Sequence, residues 1–180
     1  EVHSVEEALN YAKDILAEEF SENASYREWI RNKTMELGSI SSSKKDAEEN
    51  PDAKTYEMYF DYEEKVKTIP GYRTLAINRG ETEKVLSVKL NFPQEEIIAY
   101  LEKQAGKDLQ GENLRLLQEA VLDSFKRLIS PSIETEIRNI LTEKAEDGAI
   151  AIFADNLKQL LMQAPIVGKV VLGWDPGFRT

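Results

Sequence analysis

The chain has 180 residues, of which 41% are hydrophobic and 31% charged, and its formal net charge is −10. This composition is typical of helices with one apolar stripe and one solvated face, and the negative charge disfavours binding of the chain as a whole to nucleic acid or anionic lipid. The absence of cysteine excludes disulfides and thiolate metal sites, and the single histidine, His3, is interpreted as solvated surface near the terminus.

The first 38 residues predict a helical hairpin. Ser4 is an N-cap candidate, and apolar residues recur at helical spacing from Val5 to Phe20. Ser21 or Asn23 is predicted to cap a second helix that ends near residue 38.

Residues 39–52 are rich in Ser and charge and are predicted to form a loop, with a short strand over Ser39–Ser43 left open. The region from residue 53 to 130 is predicted to be helical with one strand. A helix is expected around Ala53 to Glu64. Another is expected to begin at Pro70 and end at Gly80.

Alternation from Lys84 to Phe92 predicts the internal strand, with Val85, Ser87 and Lys89 on one side and Leu86, Val88 and Leu90 on the other. Pro93 then opens a helix that Gly106 ends, and an apolar stripe predicts a further helix over Glu112 to Ile129.

Ser130-Pro131 is interpreted as the capping signal of a long connecting helix over residues 131–164. Only Gly148 disfavours that helix, at a cost of about 1 kcal/mol relative to alanine. A helix of this length extends for ~50 Å, so we expect it to link the upstream helices to a domain that begins at residues 165–180.

The last residues, VVLGWDPGFRT, have the pattern of a buried strand followed by a turn that carries one acid, Asp175. A single strand cannot satisfy its own backbone groups, and the first residue is Glu1 rather than Met. We therefore expect a piece of a longer protein. Its fold class is mainly α, a helical hairpin and bundle with one long connecting helix, one or two short strands and a truncated terminal strand.

Two features are candidates for chemistry. Asp175 stands where nucleases of the RNase H type place a metal ligand, but two-metal phosphoryl chemistry needs several convergent carboxylates, and a turn role explains one Asp equally well. The segment from Lys65 to Phe92 is the one basic island, with a balance of +4 against −14 for the rest of the chain. Its cations are weak nucleic-acid-binding candidates beside the alternative of an ordinary solvated surface: Lys65, Lys67, Arg73, Arg79, Lys84 and Lys89.

Several motifs together resemble the bacterial Tex family of transcription accessory proteins. They are DILAEEFSE (14–22), YFDYEEKV (59–66), IPGYRTLAINRGE (69–81), SPSIETEIR (130–138) and LGWDPGFRT (172–180). The resemblance runs through nearly the whole chain in the same order. Family members commonly have Ser-His in place of Gly71-Tyr72 and an aliphatic residue in place of Trp174.

The resemblance implies a cytoplasmic, multidomain parent protein. This chain would be its central helical region and the first strand of a YqgF-type, RNase H-like domain. Binding of RNA or DNA would reside chiefly in domains absent here, including an OB-fold RNA-binding domain. Asp175 would match the nuclease aspartate, in a family not regarded as active nucleases.

We therefore expect a non-catalytic scaffold segment of a nucleic-acid-binding transcription accessory protein, with no cofactor, no metal and no membrane contact. Two alternatives stay open. In one, the parent hydrolyses phosphodiesters and uses Asp175. In the other, the chain is a binding module for a protein partner such as RNA polymerase.

Overall fold

The computed structural model describes residues 4–45, 51–107 and 109–175. His3, residues 46–50 of the predicted loop and Pro176 to Thr180 lie outside these ranges. The described elements are α1 (Val5–Glu22), α2 (Ala24–Leu37), β1 (Ser39–Lys44), a 3₁₀-helix (Pro51–Tyr59), β2 (Asp61–Lys65), α3 (Gly71–Thr82), β3 (Leu86–Asn91), α4 (Gln94–Ala105), α5 (Glu112–Asp123), a π-helix (Ser124–Ile129) and α6 (Ser130–Leu161).

The fold is mainly α-helical, as expected, and the caps form at the predicted places. The Ser4 hydroxyl accepts a hydrogen bond from the Glu7 backbone N–H. Asn23, the single residue between α1 and α2, accepts from the Tyr26 N–H. Gly106 is the C-cap of α4. Each cap satisfies a backbone group that the helix itself leaves without a partner.

A three-stranded antiparallel sheet, in the order β2-β1-β3, packs beside the helices. The open possibility of a strand after Gly38 is therefore realised as β1, the central strand. In β3 the predicted alternation is confirmed: Leu86, Val88 and Leu90 are buried, while Lys89 faces solvent.

The predicted helix over Ala53 to Glu64 is wrong. A 3₁₀-helix ends at Tyr59, and residues 61–65 form strand β2, which pairs with β1 from Ser39↔Lys65 to Ser43↔Asp61. Apart from Tyr62, the sequence DYEEK consists of charged residues that are depleted in strands. It is extended because β1 offers backbone partners there and because Tyr62 and Glu64 turn toward the interior.

The prediction that Gly80 ends α3 is also wrong, since α3 continues to Thr82. Gly80 is buried inside the helix. A Cβ at this position would lie 2.7 Å from Leu86 Cδ1 and 2.9 Å from a ring carbon of Tyr56. The glycine is therefore a packing requirement, because β3 and the 3₁₀-helix approach the α3 backbone at this point.

The predicted cap at Ser130-Pro131 does not form. Ser130 is helical, and α5, the π-helix and α6 form one uninterrupted helical run from Glu112 to Leu161. The Ser130 N–H donates to the Phe125 carbonyl, five residues back. Proline inside an α-helix lacks a donor and clashes with the carbonyl four residues earlier. The wider π turn directly before Pro131 relieves that conflict, which is why the helix continues.

The core of the molecule follows one ridge of this helical run. Every fourth residue from Leu117 to Leu161 is apolar: Leu117, Val121, Phe125, Ile129, Ile133, Ile137, Leu141, Ala145, Ala149, Phe153, Leu157 and Leu161. The first eight are buried, and α1, α2 and α3 pack around the run. Rows of residues spaced by four are the ridges that helices commonly use to pack against one another.

Polar contacts fix α6 to the sheet and to α3. The Glu134 carboxylate accepts from the Leu90 N–H at 3.1 Å, which satisfies a donor on the outer edge of β3. Arg138 forms an ion pair with Glu81, and Asn78 donates to Thr142 at 2.8 Å. At Gly71 a Cβ would lie 3.1 Å from Ala145 Cα, so glycine there permits the close approach of α3 and α6.

The predicted terminal strand is absent. Residues 164–175 lie outside helices and strands, and Val170 to Trp174 are exposed. The apolar run from Val170 to Leu172 has no pairing partner in the described part of the chain, and an unpaired strand has no source of backbone hydrogen bonds.

Substituting Gly80 or Gly148, which lie in the interiors of α3 and α6, by alanine should have opposite effects on stability. Gly80→Ala should lower the free energy of unfolding by about 1–3 kcal/mol, because the added methyl group meets Leu86 and Tyr56. Gly148→Ala should raise it by up to about 1 kcal/mol, because a Cβ at Gly148 meets nothing within 4 Å and alanine favours helix. Denaturant unfolding followed by circular dichroism measures both, and equal effects would contradict this account.

Candidate interaction surfaces

The second half of α6 projects from the bundle. Ala145 is the last buried residue of the helix, and α6 continues for about 24 Å to Leu161. Phe153 is 67% exposed, Leu157 42% and Leu161 75%. We call these three residues the outer ridge. They belong to the same row of apolar residues that forms the core, so the row continues past the point where this chain covers it.

The outer ridge faces a different direction from Leu141, which lies in the last buried part of the row. Residues four apart on an α-helix advance by about 40° around its axis, so Leu157 points about 160° away from Leu141. Ile150 and Leu160, both exposed, flank the outer ridge. This face is therefore turned away from the elements that cover Leu141, and among the described residues it is an exposed apolar surface available to another folded unit.

The six basic candidates lie on several elements of the fold. Arg73 forms an ion pair with Glu64 at 2.8 Å, and Arg79 forms one with Glu83 at 2.8 Å, so each guanidinium has a carboxylate partner within the chain. Lys84 follows α3 with a φ of 61°. Lys67 lies in the connection between β2 and α3.

Lys65 and Lys89 share a surface, the solvent-facing side of the sheet. They lie on the two outer strands and pair with Ser39 and Ser41 of β1. Lys65 also donates to the Leu37 carbonyl at 3.0 Å. Glu63 lies on the same face and accepts from Asn91 at 3.2 Å, so the sheet surface has mixed charge.

Arg73 belongs to a polar cluster between β2 and α3. It donates to Glu64, and its guanidinium lies over the rings of Tyr62 and Tyr72, 5.9 and 5.7 Å from their centroids. Burial, together with the hydrogen bond from Tyr62 to Glu64, raises the pKa of Tyr62 to about 12. The same hydrogen bond, followed by that from Arg73, lowers the pKa of Glu64. The cluster joins two elements and leaves little of Arg73 for an external phosphate.

Asp175 is exposed and lies outside helices and strands. Across residues 4–45, 51–107 and 109–175, no three His, Cys, Asp or Glu side chains gather in a way that could hold a metal ion. Asp175 is therefore not joined to other acids by the described structure.

A family model described as Tex central region-like matches residues 1–153. The chain belongs to the Tex family. The matched region includes the bundle, the sheet and α6 as far as Phe153, so the family includes the first part of the projecting half of the helix. Within the described ranges, no helix combines the length and apolar character needed to cross a bilayer.

Individual relatives agree with the family. The chain is 47% identical over its whole length to protein YdcI of Bacillus subtilis, of which it covers 25%. It is 33% identical to the transcriptional accessory protein Tex of Neisseria gonorrhoeae, over 96% of the chain and 23% of that protein. It is 35% identical to the human S1 RNA-binding domain-containing protein 1, over 77% of the chain and 14% of that protein. The chain thus spans about a quarter of the length of its bacterial relatives.

The outer ridge was not predicted as a site, although its signal is in the sequence. The spacing of four runs uninterrupted from Leu117 to Leu161. A search for that spacing would have identified the apolar row, but not the residue at which its cover ends.

The raised pKa of Tyr62 predicts a specific dependence of stability on pH. Below the ordinary pKa near 10.0, the Tyr62 hydroxyl is neutral in the folded and in the unfolded chain, and its contribution to the free energy of unfolding is fully present. That contribution is lost as the pH rises through about 12, the pKa in the folded chain. Tyr62→Phe should therefore lose less stability than the wild type between pH 9 and 11.5. Denaturant midpoints at both values measure this, with the exposed Tyr11→Phe as control. Identical slopes for wild type and Tyr62→Phe would refute it.

Proposed function

We propose that this chain is the scaffold segment of a longer transcription accessory protein that binds nucleic acid, and that the segment itself is not catalytic. Its role is to hold the helical bundle at a fixed distance and direction from a following domain, through α6. The single observation that carries this proposal is the outer ridge, an apolar row on a helix that leaves the bundle and has no cover within the described residues.

The continuity of α6 supports a mechanical role. The helical run passes Pro131 and Gly148 without a break, so the bundle and the tip at Leu161 are connected by one rigid element. Contiguous exposed apolar patches on a protein surface commonly mark sites of interaction with another molecule or domain. The acidic charge of the chain supports the assignment of nucleic-acid binding to other parts of the whole protein.

The names of the relatives supply the functional class. One is named as a transcriptional accessory protein and another by an S1 RNA-binding domain. Since this chain covers only 14–25% of the relatives described above, we assign RNA or DNA contact to the remainder of the protein. The cytoplasm is the compartment proposed for the whole.

Polar substitutions in the outer ridge should affect a longer protein and spare this chain. The double variant Phe153→Gln, Leu157→Gln should leave the unfolding free energy of residues 1–180 within about 0.5 kcal/mol of the wild type, because both side chains are already exposed. In the same chain fused to the remaining C-terminal part of the B. subtilis relative, it should increase hydrogen exchange along α6. The control is Ala151→Gln, Asp155→Gln on another face of the helix. Equal exchange in both fused variants would refute the proposal.

The chain alone should bind nucleic acid weakly. We expect no saturation at micromolar protein when fluorescently labelled single- or double-stranded RNA or DNA is titrated at about 50 mM salt, because the net charge repels phosphate. Anisotropy measures this. Tight binding that falls steeply with salt, and that is lost in Lys65→Glu, Lys89→Glu, would instead assign nucleic-acid contact to the sheet surface.

A further inference from the structure

An open groove lies between α2, α3 and α6, on a side of α6 other than the outer ridge. Its volume is about 710 Å³. Gly148 and Ile152 line it from α6, and they point roughly 140–180° away from Leu157. The apolar lining also includes Met35, Ile69, Leu75 and Ile140. A site of this size holds several large apolar side chains, and it is separate from the surface on which the proposed scaffold function depends.

At Gly148 no side chain projects from α6 into this groove. Glycine in a helix interior costs about 1 kcal/mol relative to alanine, and here no contact within the described chain requires it, since a Cβ would meet nothing within 4 Å. Gly71 differs, because its missing side chain accommodates Ala145. The open space at Gly148 suits the close approach of a backbone that belongs to another molecule.

The charges around the groove define what that molecule must carry. Lys67 and Lys144 line the groove, and neither forms an ion pair with any described residue. This lack of pairing is common, since among the described lysines only Lys13 and Lys33 form ion pairs. Lys67 and Lys144 are distinguished by their position beside an apolar lining. Glu36 supplies one negative charge to the lining. Two cations without partners beside an apolar floor are complementary to carboxylates that flank apolar anchors.

The walls determine the conformation of the partner. Three helices and the connection between β2 and α3 line the groove, and none of its lining residues belongs to a described strand. An extended peptide would therefore find no sheet edge to pair with, whereas an amphipathic helix needs only apolar pockets for side chains at i, i+3 or i+4, and i+7. We propose that this groove binds an amphipathic helix of a protein partner, with acidic residues placed for Lys67 and Lys144.

The test is a selection from a displayed library of 18-residue helical peptides. The library is selected on wild-type residues 1–180 and counter-selected on Gly148→Phe, whose ring would fill the groove from open space. The expected winners carry apolar residues at helical spacing with Asp or Glu beside them. Winners with basic flanks, extended proline-rich winners or an absence of groove-dependent winners would overturn the proposal.

Charge variants then test the lysines by anisotropy with the best peptide. Lys67→Glu, Lys144→Glu should weaken binding at least ten-fold. The control Lys103→Glu, Lys158→Glu changes the net charge equally and should change affinity less than two-fold. Because Ile152 is 66% exposed, Ile152→Glu should also abolish binding without unfolding the chain, which circular dichroism verifies. Equal losses in the test and control pairs would refute recognition by Lys67 and Lys144.

A last arm distinguishes a partner from the rest of the protein itself. The selected peptide should bind residues 1–180 fused to the C-terminal part of the B. subtilis relative as tightly as it binds the chain alone. Loss of binding there would mean that the protein's own following domain occupies the groove, and the partner proposal would be wrong. The outer-ridge experiment does not depend on this result, so the two proposals can fail separately.

Discussion

One row of apolar side chains determines the architecture of this molecule. Residues spaced by four on a straight α-helix do not stay on one side but wind slowly around the axis, by about 40° at each step. A core built on such a row must recruit its partners from successive directions. The bundle does this, with α1 against α5 and the π-helix and with α2 and α3 against α6. The π turn at Ser124–Ile129 both accommodates Pro131 and slows the winding, because it contains more residues per turn.

Local signals were sufficient wherever a residue acts on its own backbone. The caps at Ser4 and Asn23 and the helix end at Gly106 follow from hydrogen bonds or torsion angles within a few residues, so the sequence predicts them. The errors lie where distant residues decide. Strand β2 exists because β1 offers a pairing edge, and Gly80 is inside α3 because Leu86 and Tyr56 press against it. Neither neighbour can be inferred from the local sequence.

The candidate sites show the same division. Counting charges identified a basic island between Lys65 and Phe92, but the fold pairs Arg73 and Arg79 with nearby carboxylates and places Lys65 and Lys89 on a sheet face that also carries Glu63. Charge counts along a chain ignore the partners that folding provides. The apolar surfaces were missed for the opposite reason. An exposed Phe153 and a buried Phe125 occupy equivalent positions in one row, and only the three-dimensional structure shows where the cover ends.

Because α6 is continuous through Gly148, the number of residues between the bundle and Leu161 determines the direction in which the tip of the helix faces. Deleting or inserting one residue between Ala145 and Phe153 would leave the bundle intact, but it would rotate whatever is attached at the tip by about 100° and move it by about 1.5 Å. An insertion of seven residues would restore the direction to within about 20° while lengthening the arm by roughly 10 Å. The length of this helix therefore fixes the orientation of the bundle relative to whatever follows Leu161, and a change of one residue in that length would alter the orientation.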